Sequence, residues 1–344
     1  MELAFSELVG NEALRRLVGD DIRTGRLAHA YIIEGPRGSG KRTLALRIAA
    51  ALACEKRRDG NAPLPCTKCP ACQKILSGKS PDVSFLNRGD KATFGVESIR
   101  ALQSDVHIAP NELDVKTYIL EEAHLLTAQA QNAFLLTLEE PPPYVLFLLL
   151  TENASALLET VRSRAPVRRM ELLDVEQLTE LLVERYPEAR SLRATAPREF
   201  SELIASSSGC AGQAIELLDP ERRAPILADR ETVRRLVSLA SGGKSAEVPA
   251  LLAGLGQKRD ELIARLSLCL LALRDLLLLK KTERAPLCFF ADREEALTLS
   301  EKLPTRALLQ FCEAVDRAVE RLRANGNVRL TLTLLGAEAG LASV

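Results

Sequence analysis

The chain has 344 residues, more than one ordinary core organises, so two or three domains are expected. Apolar residues make up 47 % and charged residues 27 %, a globular balance that excludes a disordered or fibrous chain. Lys+Arg and Asp+Glu both number 46, so the formal net charge is zero and any nucleic-acid contact has to come from a local patch.

The amino-terminal stretch MELAFSELVGNEALRR lacks the basic start and apolar run of a signal peptide. Residues 31–33 then read as a short buried strand, followed by Gly35-Pro36-Arg37-Gly38-Ser39-Gly40-Lys41 and a helical pattern over 44–53. Strand, glycine-rich turn and helix in that order are the context of a phosphate-binding loop. Gly35, Gly38 and Gly40 let backbone N–H groups turn toward a phosphate, the helix amino terminus adds positive potential, and Lys41 supplies a point charge. The next residue departs from the pattern. A working loop carries Ser or Thr after the lysine to coordinate magnesium; here it is Arg42, while Thr43 sits about 100° further round the helix. ATP binding stays open on this reading, and magnesium-assisted hydrolysis is not expected.

Cys54, Cys66, Cys69 and Cys72 follow, three of them in a tight run with Pro65 and Pro70. Four thiolates at this spacing close a tetrahedral structural zinc site with no open position for catalysis, and would brace a loop with little core of its own. The other cysteines (Cys210, Cys269, Cys288, Cys312) are scattered and read as small core residues.

Val83–Leu86 reads as a second strand and Val96–Val106 as a helix. The apolar strand at 118–120 ends in Glu121 and Glu122. Downstream of a phosphate loop, such a pair holds the magnesium shell and polarises the attacking water. Glu121 stands where Asp is usual, one methylene longer, so this site too is off-pattern. His124 has no partner at metal spacing and reads as a surface residue. A helix at 128–138 and a strand at 145–150 complete an alternation that predicts a parallel sheet flanked by helices.

After Leu172 no further strand is expected. Asp174-Val175-Glu176-Gln177 reads as a capping box opening a helix, and the remainder is helical in period, punctuated by Pro187, Pro197, Pro220, Gly242-Gly243, Pro286 and Pro304. The most apolar later stretch, 262–279, is broken by Arg265, Arg274 and Asp275, so it reads as a core helix and not a membrane span. A cytoplasmic protein is expected.

Ala130-Gln131-Asn132-Ala133-Phe134-Leu135-Leu136-Thr137-Leu138-Glu139-Glu140-Pro141-Pro142 resembles the signature helix and turn of bacterial clamp-loader AAA+ subunits. Residues 147–153, ending in Asn153, are similar to the sensor-1 strand of that family. Ser163-Arg164-Ala165 resembles its Ser-Arg-Cys motif, with Ala165 replacing the cysteine. The resemblance spans residues 1–220, the helical remainder fits the family's collar, and 325–335 is similar to the start of the collar's final helix. A zinc module occupies the same place in the family.

The resemblance implies an AAA+ nucleotide-binding domain over 1–173 with a zinc-binding insertion at 54–72, a helical lid over 174–222 and an oligomerising collar over 223–344. It further implies Asn153 facing nucleotide and Arg164 acting as an arginine finger in the ATP site of the next subunit. The implied partners are the gamma/tau and delta subunits in a hetero-pentameric ring, the sliding clamp, and primer–template DNA held through the complex. Within the family, Arg42, Glu121 and the lack of an arginine in Gly209-Cys210-Ala211-Gly212-Gln213-Ala214 point to the delta prime type, a component of the DNA polymerase III holoenzyme with weak or no ATPase of its own. The alternatives are an active gamma/tau-type clamp-loader ATPase and another AAA+ DNA-remodelling motor. Leu136, where relatives often carry Lys, is a departure without an account.

Overall fold

In the computed structural model, which describes residues 4–5, 8–59, 62–90, 92–241, 247–256 and 258–341, the uninterrupted apolar runs become parallel strands. These are β1 (Ala30–Glu34), β2 (Val83–Leu86), β3 (Lys116–Leu120), β4 (Val145–Thr151) and β5 (Val167–Arg169). They form a five-stranded sheet in the order β2-β3-β4-β1-β5, with every neighbouring pair parallel. Every residue of β3 and β4 is buried, as expected of strands covered on both faces.

The two-residue strand period sorts side chains between two cores. Tyr31, Ile33, Ile119, Leu146, Leu148 and Leu150 face the layer that contains α1 (Glu12–Thr24) and α2 (Lys41–Leu52). Ile32, Tyr118, Leu120, Phe147 and Leu149 face the layer of α4 (Val96–Val106) and α5 (Ala128–Glu139). There Phe134 meets Phe147 edge-on at 5.1 Å. The short helices α3 (Pro70–Leu76) and α6 (Glu159–Arg162) fill out this part of the chain. In consequence the carboxyl ends of β1, β3 and β4 deliver Glu34, Glu121 and Thr151 to one edge of the sheet.

The chain divides into two compact units. One is Met1–Gln177 with Cys210–Gln213; the other is Leu178–Gly209 with Ala214–Val344. The capping box at the end of the first is present: Gln177 N–H donates to Asp174 Oδ1 at 2.8 Å and Asp174 N–H to Gln177 Oε1 at 3.2 Å. They open α7 (Val175–Arg185).

The second unit is helical throughout its described residues, comprising α8 (Pro187–Thr195), α9 (Pro197–Ser206), α11 (Pro220–Ser241), α12 (Val248–Ala253), α13 (Arg259–Leu279), α14 (Arg293–Lys302), α15 (Thr305–Arg323) and α16 (Val328–Leu341). The short α10 (Ala211–Glu216) begins in the first unit. Leu262, Leu266, Cys269, Leu273, Leu276 and Leu279 of α13 form a buried stripe at three- and four-residue spacing. Asp275 lies fully buried beside it and accepts N–H bonds from Cys288, Phe289 and Phe290, which ties the loop before α14 to the core. Ion pairs Arg223–Glu199 at 2.7 Å and Arg230–Glu202 at 3.2 Å join α11 to α9. The expected break at Gly242-Gly243 lies outside the described residues. Among the described residues no helix is long and apolar enough to cross a membrane.

Candidate functional site

The turn between β1 and α2 needs its glycines. Gly38 and Gly40 take φ of +81° and +94°, and a Cβ on Gly35 would lie 2.9 Å from the Met170 side chain. Lys41 opens α2 and folds back over the turn, donating from Nζ to the carbonyls of Gly35 at 2.7 Å and Pro36 at 2.8 Å. Desolvation holds its ammonium below the usual lysine range, against the attraction of Glu152. Residues Cys210–Gln213 cover the tip of the turn. Gly212 N–H donates to the Gly38 carbonyl at 2.8 Å, and Gln213 Nε2 donates to the Arg37 carbonyl at 3.0 Å. A Cβ on Gly212 would stand 2.8 Å from Gly38 Cα, so this approach is one only glycine permits.

Both carboxylates at the end of β3 are held by arginines. Arg42 Nη1 donates to Glu121 Oε1 at 2.7 Å, and its guanidinium lies over the Phe85 ring at 4.3 Å. Arg88 Nε donates to Glu122 Oε2 at 2.9 Å. The pattern expected to hold magnesium therefore has an arginine in place of its hydroxyl and an ion pair in place of its free acid. These residues do not fit a magnesium site.

Beside the loop, Glu34 accepts from Ala154 N–H at 2.8 Å and Arg169 Nε at 2.7 Å. The Ala154 bond above all, with Arg169, outweighs burial and holds the Glu34 carboxyl below its ordinary range. Asn153 Oδ1 accepts from Ser155 N–H at 2.9 Å, capping the 3-10 turn Ala154–Ala156. His124, read from sequence as a surface residue, is half-buried, and its Nδ1 accepts from Glu152 N–H at 3.4 Å.

Arg164 follows α6 on the connection from β4 to β5. Its Nη2 donates to Glu139 Oε1 at 2.5 Å, and its Nη1 donates to the Thr160 carbonyl at 2.9 Å and Ser163 Oγ at 3.3 Å. Its side chain is one-third exposed, and among the described residues none of its hydrogen bonds goes to the loop at 35–41. Leu136 on α5 is 72 % exposed, and nothing in the structure explains the residue chosen there.

The sulfur atoms of Cys54, Cys66, Cys69 and Cys72 all lie within 4.8 Å of one another, and all four residues are buried. None is in a disulfide. A tetrahedral zinc with bonds of about 2.3 Å wants sulfurs roughly 3.8 Å apart, and Cys66 and Cys72 stand at 4.0 Å. Thr67 at φ +58° turns the chain so that Cys69 N–H points at Cys66 Sγ at 3.4 Å, while Cys66 N–H points at Cys54 Sγ at 3.4 Å. Burial pushes the Cys66 thiol up, but the N–H groups of Cys69 and Lys68 and the neighbouring thiols outweigh it and bring it down to about 7. Donors already aimed at sulfur are what a thiolate ligand needs, so these residues fit a structural metal ion.

The residues of the site were visible in the sequence; their partners were not. Phe85, Arg88 and Glu139 were not anticipated as neighbours of the arginine–carboxylate pairs. A charged residue two places beyond the end of β2 is the one signal that could have pointed to Arg88.

Residues 10–174 match the model of the family described as "DNA polymerase III, delta subunit". Subunit tau of DNA polymerase III from Escherichia coli is 34% identical over 215 residues, covering 62% of this chain and 32% of that one. Subunit gamma from Buchnera aphidicola is 32% identical over 179 residues, covering 52% of this chain and 48% of that one. Subunit tau from Bacillus subtilis is 33% identical over 220 residues, with 62% and 37% covered. The chain thus spans less than half the length of each of these relatives. Among solved structures, a gamma-subunit-related protein from Thermotoga maritima aligns over 95% of this chain and 99% of its own, at 18% identity and a TM-score of 0.43.

Proposed function

We propose that this chain, similar over its first half to DNA polymerase III gamma, tau and delta subunits, is the delta prime subunit of a DNA polymerase III clamp loader, a protomer that does not itself hydrolyse ATP. The observation that carries this reading is the capture of both strand-end carboxylates. With Glu121 on Arg42 and Glu122 on Arg88, neither acid is free to hold a metal or to polarise water. The glycine contact of residues 210–213 with the loop tip brings Gln213, and no arginine, to the place where a motor subunit would address the nucleotide.

In this reading the chain contributes to catalysis through Arg164. A guanidinium reaching the neighbour's ATP would stabilise the charge that builds on the transferred phosphoryl group. Glu139 and the Thr160 carbonyl hold that guanidinium in one position on the rim. The zinc module braces the connection from α2 to β2, residues 174–222 serve as lid, and residues 223–344 form the collar that joins the other subunits. The assembly would open the sliding clamp and place it on primed DNA in the cytoplasm.

The curated relatives are named gamma and tau, which favours an active clamp-loader ATPase as the second reading. The test is Arg164→Ala in a complex reconstituted with gamma/tau-type and delta subunits and a clamp. ATPase of the assembled ring should fall while assembly stays intact. Undiminished ATPase would remove the finger.

A further inference from the structure

We infer that the nucleotide site of this chain has replaced its divalent cation with the guanidinium of Arg42, so that it takes nucleoside polyphosphates in their metal-free form. The inference rests on reading residues 35–41 as a nucleotide loop of a non-hydrolysing subunit, and it goes beyond that reading by naming the ligand's charge state.

In a metal-dependent loop three things converge on the cation: the hydroxyl after the lysine, the strand-end acid, and the phosphates. The first is missing here. Arg42 stands in its place on α2 and reaches to the end of β3, where it engages Glu121 at 2.7 Å. The second is therefore consumed by the same residue. The adjoining acid, Glu122, is bound by Arg88 at 2.9 Å. Both strand-end acids are thus each already engaged by an arginine, Glu121 by Arg42 and Glu122 by Arg88. A dication arriving here would have to compete with a guanidinium for either acid.

The same arrangement suits a bare polyphosphate. Arg42 spends only Nη1 on Glu121, and among the described residues Nε and Nη2 have no hydrogen-bond partner. Its side chain is 63 % exposed. Stacking on Phe85 fixes the plane of the guanidinium, which leaves one fork edge oriented for two phosphate oxygens. Unlike a bound metal ion, this counter-charge is covalently part of the chain and does not depend on the magnesium concentration. It also cannot activate water, since a guanidinium stays protonated at any pH of interest. Phosphate recognition and the absence of hydrolysis thus follow from one substitution.

The test is equilibrium titration of the full chain with ATP and with ADP, once in EDTA and once in excess magnesium, for the wild type, Arg42→Thr and Glu121→Gln. Far-ultraviolet circular dichroism checks that each protein is folded. The wild type should bind ATP in EDTA at least as tightly as in magnesium. Arg42→Thr should weaken binding in EDTA by roughly tenfold and make magnesium favourable. Glu121→Gln, which releases the guanidinium, should tighten binding in EDTA. Tighter wild-type binding in magnesium, or no binding in EDTA by folded wild type, would overturn the inference while leaving the scaffold reading intact. Turnover of ATP would sink the scaffold reading and is scored separately from the order of the two binding constants.

Discussion

Removing metal from the four-cysteine module should destabilise the first unit by an amount that its packing sets. The thiols sit inside one of the two sheet-face cores, with Leu64 at 2 % and Ile75 at 1 % exposure alongside them. Cys72 points at the Ala50 carbonyl of α2 at 3.5 Å, so the module is fastened to the helix that begins at the phosphate loop. Without a metal, the four sulfurs lose the ion that would bond them together, and the segment would open. Exposing Leu64 and Ile75 alone forfeits about 2 kcal/mol each, so a loss of about 4–5 kcal/mol is expected. That is a large part of the usual 5–15 kcal/mol for a domain. The assay is metal analysis of the purified chain followed by urea unfolding before and after dialysis against a chelator, with Cys72→Ser in parallel. About one zinc per chain is expected, with a matching loss for the stripped wild type and for Cys72→Ser. A metal-free chain that unfolds at the same urea concentration as the untreated protein would refute the reasoning.

Two further predictions concern buried carboxylates. Asp275→Ala strands the N–H groups of Cys288, Phe289 and Phe290, and at about 1 kcal/mol for each the second unit should lose about 3 kcal/mol in denaturant unfolding; a loss below about 1 kcal/mol would count against that role. Asp82 is fully buried, and although burial pushes its carboxyl up, the N–H groups of Asn111, Glu112 and Leu113 outweigh it and hold it below the usual range. A carboxyl lowered by folding adds stability that is complete above its unfolded value, about 3.9, and is lost as pH falls through the folded value. The stability advantage of wild type over Asp82→Asn should therefore be constant at neutral pH and shrink as the pH drops below about 4; an advantage that grew in acid would contradict the assignment.

How much of this was legible in the sequence depends on the range of the interaction. Strands β1, β3 and β4 were, because a parallel strand covered on both faces must be apolar throughout, as VLFLLLT of β4 is, while the half-buried edge strand β2 showed as a short, largely apolar run. The edge strand β5 was not, since Val167-Arg168-Arg169 carries two charges and borrows its pairing from β1. Helix α3 was hidden because Pro70 and Cys72 belong to the thiol module and interrupt any apolar period. The capping box at Asp174 was readable because its two hydrogen bonds span three residues. By contrast Arg42 and Glu121 are 79 residues apart; each was visibly off-pattern, yet only the fold reveals that each is the other's partner. The same holds for Arg164 and Glu139, which are 25 residues apart.

The most direct test of the account is steady-state ATP turnover by the isolated full chain with magnesium and primed DNA. The account predicts no turnover above background, because Arg42 and Arg88 hold the acids that would do the chemistry. Magnesium-dependent turnover that disappears in Lys41→Ala would contradict it and make this chain a motor subunit.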